Sequence, residues 1–289
     1  MRWLKFSVAE KKMFGYIKDT MADVNDEYAA QDLRIRKIMI MSGKGGVGKT
    51  TVTVNLANAL VDMGCRVGVL DTDLHGPNVA VMFGCKDAKL FSDDGTTLVP
   101  IEPREGLKVM SLAFALEDPD APVIWRGTLK NSAIRQFIGD VDWGELDYLL
   151  IDTPPGTGDE QLTVCQTIPE LTGSIIVTTP QEVAVLDARR SVNFSRKLGV
   201  AIIGVIENMS GLVCPHCGEE IPLFGKGGGK KMCQEMHVPF LGAVPMEVGL
   251  PEAEDSGVAW VEQAGHPSAE ALKAIANEIN NGTACSTSR

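Results

Sequence analysis

The sequence predicts an α/β fold of the doubly wound kind, a mainly parallel sheet with helices on both faces in a single domain, and three observations carry that prediction. Short runs rich in Val, Ile and Leu recur from Lys37 onward, most of them separated by stretches with helical spacing, the pattern of strands buried on both faces and joined by crossover helices. The first run passes through a glycine-rich turn directly into a helical stretch, "IMIMSGKGGVGKTTVTVNLANAL". Two further runs end in carboxylates, "VGVLDTD" and "YLLIDT", and open parallel sheets bind ligands at the carboxyl ends of their strands.

Taken in order, residues 1–36 stand apart. Met13, Ile17, Met21, Val24 and Tyr28 form one apolar stripe at helical spacing, so an amphipathic helical extension precedes the domain. The domain itself is expected over 37–282, with strands at "KIMIMS", "RVGVLD", "LKVMSL", "DYLLIDT", "SIIVTT", "AIIGVIEN" and "PFLGAVP". Two excursions leave the sheet: Lys86 to Pro103, where Asp93 and Asp94 sit in a turn-forming run, and 209–229, which is too long and glycine-rich for an ordinary connector. Residues 283–289 are polar and expected to form a disordered tail.

Composition narrows the function classes. The chain has 289 residues, 44% hydrophobic and 22% charged, with a formal net charge of -11, which opposes attraction to nucleic acid or to an anionic membrane. Its seven cysteines, an odd number with no apolar signal segment or membrane-length span, fit reduced thiols in the cytoplasm.

Gly43 to Thr50, "GKGGVGKT", fits G-x-x-x-x-G-K-[ST] at every position and lies between a predicted strand and a predicted helix. In such a loop the backbone N–H groups of Gly43, Lys44, Gly45, Gly46, Val47 and Gly48 converge on phosphate oxygens, joined by the positive end of the helix dipole. Lys49 would reach the β- and γ-phosphates, Thr50 would offer its hydroxyl to Mg2+, and Thr51 follows in the same turn. The second lysine, Lys44, is unusual inside a phosphate cradle. Here the sequence resembles the deviant Walker A loops of the MinD/NifH-like dimeric ATPases, and the resemblance implies that Lys44 reaches the partner subunit's phosphates and that ATP and ADP are the ligands. It further implies that Asp73 positions or activates the attacking water, that Asp152 holds a magnesium-bound water, that Asp71 supports the metal shell, and that Asn208 contacts adenine.

"VCPHCGEEIPLFGKGGG" contains the one C-x-x-C pair, Cys214 and Cys217. Two sulfurs from a tight turn, with Gly218 behind them, supply half of a four-ligand site. The residues alone leave four readings open: an iron-sulfur cluster, zinc, a thiol–disulfide pair, or inert structural cysteines. Cys65, Cys85, Cys165 and Cys233 read as small core residues, and Cys285 belongs to the tail. Together with "DTPPGTGD" and "ENMSGLVCPHCG", the sequence resembles the Mrp (ApbC) family of iron-sulfur cluster carrier ATPases, from about Lys37 to the "LPEAEDSG" segment. That resemblance implies a homodimer with a 4Fe-4S cluster at its interface, two cysteines from each copy, handed on to apo iron-sulfur proteins, with zinc able to bind in its place. The chain departs from some relatives in having no cysteine before Cys65, and 36 residues are too few for the separate N-terminal domain many bacterial members carry. Two rivals remain: a MinD/ParA-type positioning ATPase, which has no use for C-x-x-C, and a zinc-binding regulatory ATPase.

Overall fold

The computed structural model describes residues 35–73, 76–92, 97–115, 132, 134–135, 137–168 and 170–284. The expected helix before residue 35, Asp93, Asp94 and Cys285 lie outside these residues.

Seven strands run parallel: β1 (Arg36–Ser42), β2 (Val67–Asp71), β4 (Leu107–Ser111), β5 (Tyr148–Asp152), β6 (Gly173–Thr178), β7 (Ile202–Glu207) and β10 (Phe240–Ala243). They coincide with the seven apolar runs. An antiparallel edge strand, β3 (Ile101–Arg104), completes an eight-stranded sheet of order β10-β7-β6-β1-β5-β2-β4-β3. β3 has no apolar run because it covers only one flank, and its "IEPR" is partly exposed. A separate two-stranded hairpin, β8 (Leu212–Val213) and β9 (Glu220–Ile221), lies within the cysteine segment.

The helices with described bounds are α1 (Lys49–Asp62), α2 (Val79–Met82), α3 (Asp159–Thr167), α4 (Glu182–Lys197), α5 (Gly228–Met236), α6 (Leu250–Asp255) and α7 (Pro267–Ala284). α7 continues past the boundary at 282 that composition suggested. The central strands β1, β2, β5 and β6 are almost entirely buried, which is why they read as unbroken apolar runs. α1 is buried along most of its length, against the sheet on one side and α7 on another. α7 contributes Leu272, Ile275, Ala276 and Ile279 to the same core.

Strand register positions the functional edge. β5 lies between β1 and β2, pairing Ile40 with Asp152 and Asp71 with Asp152. Thr72 donates from both its backbone N–H and its hydroxyl to the Asp152 carbonyl, each at 2.9 Å. Gly156 donates its N–H to the Ser42 carbonyl at 2.8 Å, so the loops after β2 and β5 are both fastened beside the end of β1.

Leu272 is fully buried in α7, and its truncation leaves a cavity between the helix and the core. Leu272→Ala should lower the unfolding free energy by about 2–5 kcal/mol, read from denaturant titrations; a loss below about 1 kcal/mol would show that α7 is not part of the cooperative core.

Candidate nucleotide site and cysteine hairpin

The phosphate loop is shaped by its glycines. Gly46 and Gly48 adopt φ of +77° and +78°, the left-handed region that favours glycine, and Gly48 is the residue from which α1 starts. A Cβ on Gly48 would lie 2.1 Å from Asn208 Nδ2, because Asn208, at the end of β7, donates that amide to the Val47 carbonyl at 3.0 Å. Asn208 thus forms one wall of the loop, while a Cβ on Gly46 would meet nothing within 4 Å.

At its inner end, Lys49 Nζ sits 2.6 Å from Asp152 Oδ2, with both side chains buried. The Thr50 hydroxyl donates to the same oxygen at 2.8 Å, and the Thr53 hydroxyl donates to Oδ1 at 2.6 Å. Thr50 and Asp152 therefore present hard oxygens side by side, the donor set that Mg2+ prefers. Asp71 accepts from the Ser111 hydroxyl at 2.9 Å and from the Asp73 N–H at 3.0 Å. Burial, with the Asp152 charge adding to it, pushes the Asp71 carboxyl up to about 8, against the Asp73 N–H, Lys49 and Ser111. Asp73 accepts from the Gly76 N–H at 3.3 Å. The Ser42 hydroxyl donates to the Lys44 carbonyl at 3.0 Å, fixing the backbone at the second lysine.

The structure thus gathers Gly43 to Thr51, Asp71, Asp73, Asp152 and Asn208 around one sheet edge. Several partners there were not singled out from the sequence. Thr53 lies one helical turn after Lys49, and Ser111 ends β4 beside Asp71. Gln161 accepts from the Gly158 N–H at 2.9 Å and donates to the Pro154 carbonyl, folding the loop after β5 onto the start of α3. Glu254, on α6, accepts from the Thr51 hydroxyl at 3.1 Å. Burial pushes Glu254 up to about 7, opposed by the Thr51 bond and aided by Asp255, and its Oε1 is buried without a hydrogen-bond partner.

Cys214 and Cys217 are not on this edge but at the tip of the β8–β9 hairpin. The Cys214 N–H donates to the Glu219 carbonyl at 2.9 Å and the Gly218 N–H donates to the Cys214 carbonyl at 2.9 Å, which closes the turn and leaves Cys217 exposed and Cys214 half-buried. The backbone N–H groups of Cys217 and His216, and the Cys217 side chain, hold the Cys214 thiol below its usual value. The remaining described cysteines behave in the opposite way. Burial raises Cys65, and pushes Cys85, Cys165 and Cys233 each up to about 11, with Asp147 adding to the rise at Cys65 and Glu207 to that at Cys233. Cys65, Cys85 and Cys165 are partly buried at the margin of the core and Cys233 lies within it. Among the described residues, no group of three or more His, Cys, Asp or Glu side chains could hold a metal ion.

A comparison with protein families aligns residues 34–280 with the model of the NUBPL iron-transfer P-loop NTPases. The chain belongs to that family. It is a P-loop ATPase of the iron-sulfur cluster carrier group, as the sequence motifs implied. The "Iron-sulfur cluster carrier protein" of Methanocaldococcus jannaschii is 52% identical over 252 residues, spanning 84% of this chain and 87% of the relative. The human "Cytosolic Fe-S cluster assembly factor NUBP2" is 44% identical over 250 residues, spanning 85% and 92%. Among solved structures, the nucleotide-binding protein of Archaeoglobus fulgidus in complex with ADP, with cobalt found in it, matches with a TM-score of 0.69 and 38% identity over 81% of this chain and 90% of that one. MinD of Pyrococcus horikoshii in complex with Mg-ADP matches with a TM-score of 0.66 at 24% identity over 88% and 100%, a likeness of fold. No helix of the described residues is long and apolar enough to cross a membrane.

Two outcomes follow for this family member. A carboxyl raised above its unfolded value costs stability as pH climbs through the interval between the two, so wild type should lose stability at Asp71 from about pH 4 to about pH 8. Asp71→Asn removes that loss, and its melting temperature relative to wild type should rise from about pH 4 to about pH 8; a pH-independent difference would mean that folding does not raise this carboxyl. In the folded protein, brief alkylation by iodoacetamide should label Cys214 well ahead of Cys85, Cys165 and Cys233, as read by peptide mass spectrometry. Equal labelling of all four would contradict the burial described above.

Proposed function

We propose that the protein is an ATP-hydrolysing carrier in which two copies hold a 4Fe-4S cluster between them through Cys214 and Cys217 of each, and pass it to apo iron-sulfur proteins. The observation that carries this reading is the cysteine hairpin. One exposed and one half-buried cysteine stand at its tip, Cys214 is biased toward thiolate, and no third donor is grouped with them among the described residues. Thiolate-bound iron favours four ligands, so a second copy related by a twofold axis supplies the missing pair. A site completed only by association is open enough to surrender its cargo. Zinc is the competing occupant, since the same thiolates bind it readily.

In the nucleotide site each residue has a defined task. The backbone of Gly43 to Gly48 binds phosphate oxygens, Lys49 neutralises the β- and γ-phosphates, and Thr51 binds the nucleotide beside Thr50. Lys44 supplies charge to the partner subunit's nucleotide, as an arginine finger does in trans. Asp73 orients the attacking water and takes up its proton. Thr50 would hold Mg2+ and Asp152 a water bound to it, with Asp71 supporting that shell; the ion would neutralise charge developing on the phosphates. Asn208, at the loop wall, reads the purine edge. A net charge of -11, which opposes attraction to nucleic acid or an anionic membrane, and the C-x-x-C turn favour a carrier over a positioning ATPase.

Anaerobic reconstitution with iron and sulfide, followed by metal analysis and mass in solution, tests the reading. About four irons and four sulfides per dimer are expected, lost in Cys214→Ala while the fold and nucleotide binding persist. Lys49→Ala should abolish nucleotide binding and leave the cysteines able to take iron. Full iron content in the cysteine variant, or stoichiometric zinc that iron cannot displace, would sink the carrier reading.

A further inference from the structure

Glu207, the last residue of β7, is fully buried, and a buried carboxylate persists only where strong donors meet it. Its Oε1 accepts from the Ser210 hydroxyl at 2.6 Å and the Gly227 N–H at 2.8 Å, and its Oε2 accepts from the Gly229 N–H at 2.6 Å. All three donors belong to the two ends of the cysteine segment. Ser210 lies where the chain leaves the sheet, and Gly227 and Gly229 lie where it returns as α5. One carboxylate closes the neck of the 209–229 excursion and at the same time meets the positive end of α5.

The glycine run is shaped by this neck. A Cβ on Gly229 would lie 3.1 Å from Glu207 Oε2, one on Gly228 would lie 2.2 Å from the Pro180 carbonyl oxygen, and Gly227 has φ of +81°. The "GKGGG" stretch therefore fits a close backbone approach to Glu207 and Pro180.

The neighbouring residue points the other way. Asn208 N–H donates to the Thr178 carbonyl at 2.8 Å, and its side chain donates to Val47 in the phosphate loop. Consecutive residues on one strand end thus grip the phosphate loop and the cysteine neck. A second connection runs in parallel: the Met246 N–H donates to the Gly211 carbonyl at 2.7 Å, joining the first limb of the cysteine hairpin to the segment after β10.

We propose that Glu207 is a positioning residue that couples the nucleotide loop to the cysteine hairpin, so that the presentation of Cys214 and Cys217 follows the state of the nucleotide held beside Asn208. The coupling rests on the nucleotide-site and cysteine-pair reading above, but its test requires no cluster. A shift of Asn208 against Val47 moves Glu207, and with it the only carboxylate among the described residues that bonds both ends of the segment.

The experiment is alkylation of Cys214 and Cys217 in the metal-free full-length protein, without nucleotide, with ADP and with a non-hydrolysable ATP analogue, alongside nucleotide affinity and thermal unfolding. In wild type the alkylation rates should change severalfold between nucleotide states. In Glu207→Gln, whose amide NH2 must face one of the N–H donors and so breaks a charge-assisted hydrogen bond at the neck, the rates should become the same in every nucleotide state, with nucleotide affinity retained. Ser210→Ala, which removes a single donor, should give a partial form of the same effect and serves where Glu207→Gln fails to fold. A wild-type nucleotide response in either variant, loss of nucleotide affinity together with the response, or no response in wild type would overturn the coupling. Iron and sulfide content in the reconstitution above judges the carrier reading separately, so the two failures are distinguishable.

Discussion

The buried pair of Lys49 and Asp152 is the interaction on which the rest of the site depends. Removing two charges from water costs several kcal/mol for each ion, and the cost is met only when the remaining donors and acceptors are satisfied. Asp152 meets that condition by accepting from Lys49, Thr50 and Thr53 together. Those three donors are on the first turns of α1, so the carboxylate at the end of β5 fixes where the helix starts and therefore how the phosphate loop arches above it. The parallel register that puts β5 between β1 and β2 is what makes this geometry available. It also brings Asp71 opposite Asp152; burial, with that neighbouring charge adding to it, is what raises the Asp71 carboxyl above its usual value.

A second constraint is the end of β7. Strands in the middle of a parallel sheet are held on both sides, here by β6 and β10, so residues at their carboxyl ends are anchored more firmly than any loop could be. Glu207 and Asn208 use that anchorage in two directions. The cysteine hairpin itself is built from strands of only two residues each, and its stability comes from its neck and from the pairing of Gly211 with Met246 rather than from a core of its own.

How much of this was legible in the sequence depends on whether a residue's role is written in its neighbours. The phosphate loop was legible because glycines at fixed offsets, a lysine and a threonine are demanded by one local geometry, and the structure gives Gly46 and Gly48 the positive φ that geometry requires. The seven parallel strands were legible because burial on both faces leaves a continuous apolar run. β3 escaped because a half-exposed antiparallel edge has neither a run nor a strict alternation, and β8 and β9 are too short to have a period. Thr53, Ser111, Gln161, Glu207 and Glu254 escaped for another reason. The partners of Thr53, Ser111 and Glu254, and the two glycines bonded to Glu207, are remote in sequence, so nothing around those residues announces the contact; Gln161 has its partners, Pro154 and Gly158, close by, but in a loop with no period to mark them. Glu207 ends an apolar run much as any strand ends in a polar residue, and only the fold brings Gly227 and Gly229 onto its oxygens.

The cysteines show how a fold can sort chemically identical groups. A thiol ligates iron or zinc as the thiolate, so the energy of deprotonation decides which sulfurs compete for metal. Burial raises that energy at Cys65, Cys85, Cys165 and Cys233, and at Cys233 the same Glu207 charge that closes the hairpin neck raises it further. At Cys214 the backbone N–H groups of a tight turn lower it. The carboxylate that anchors the segment thus also discourages the one core cysteine beside it from becoming a ligand. Among the described residues, what remains is a pair of sulfurs at a hairpin tip whose neck is held by buried hydrogen bonds, and a pair cannot saturate a four-coordinate centre. On the reading proposed above, the other pair comes from a second copy.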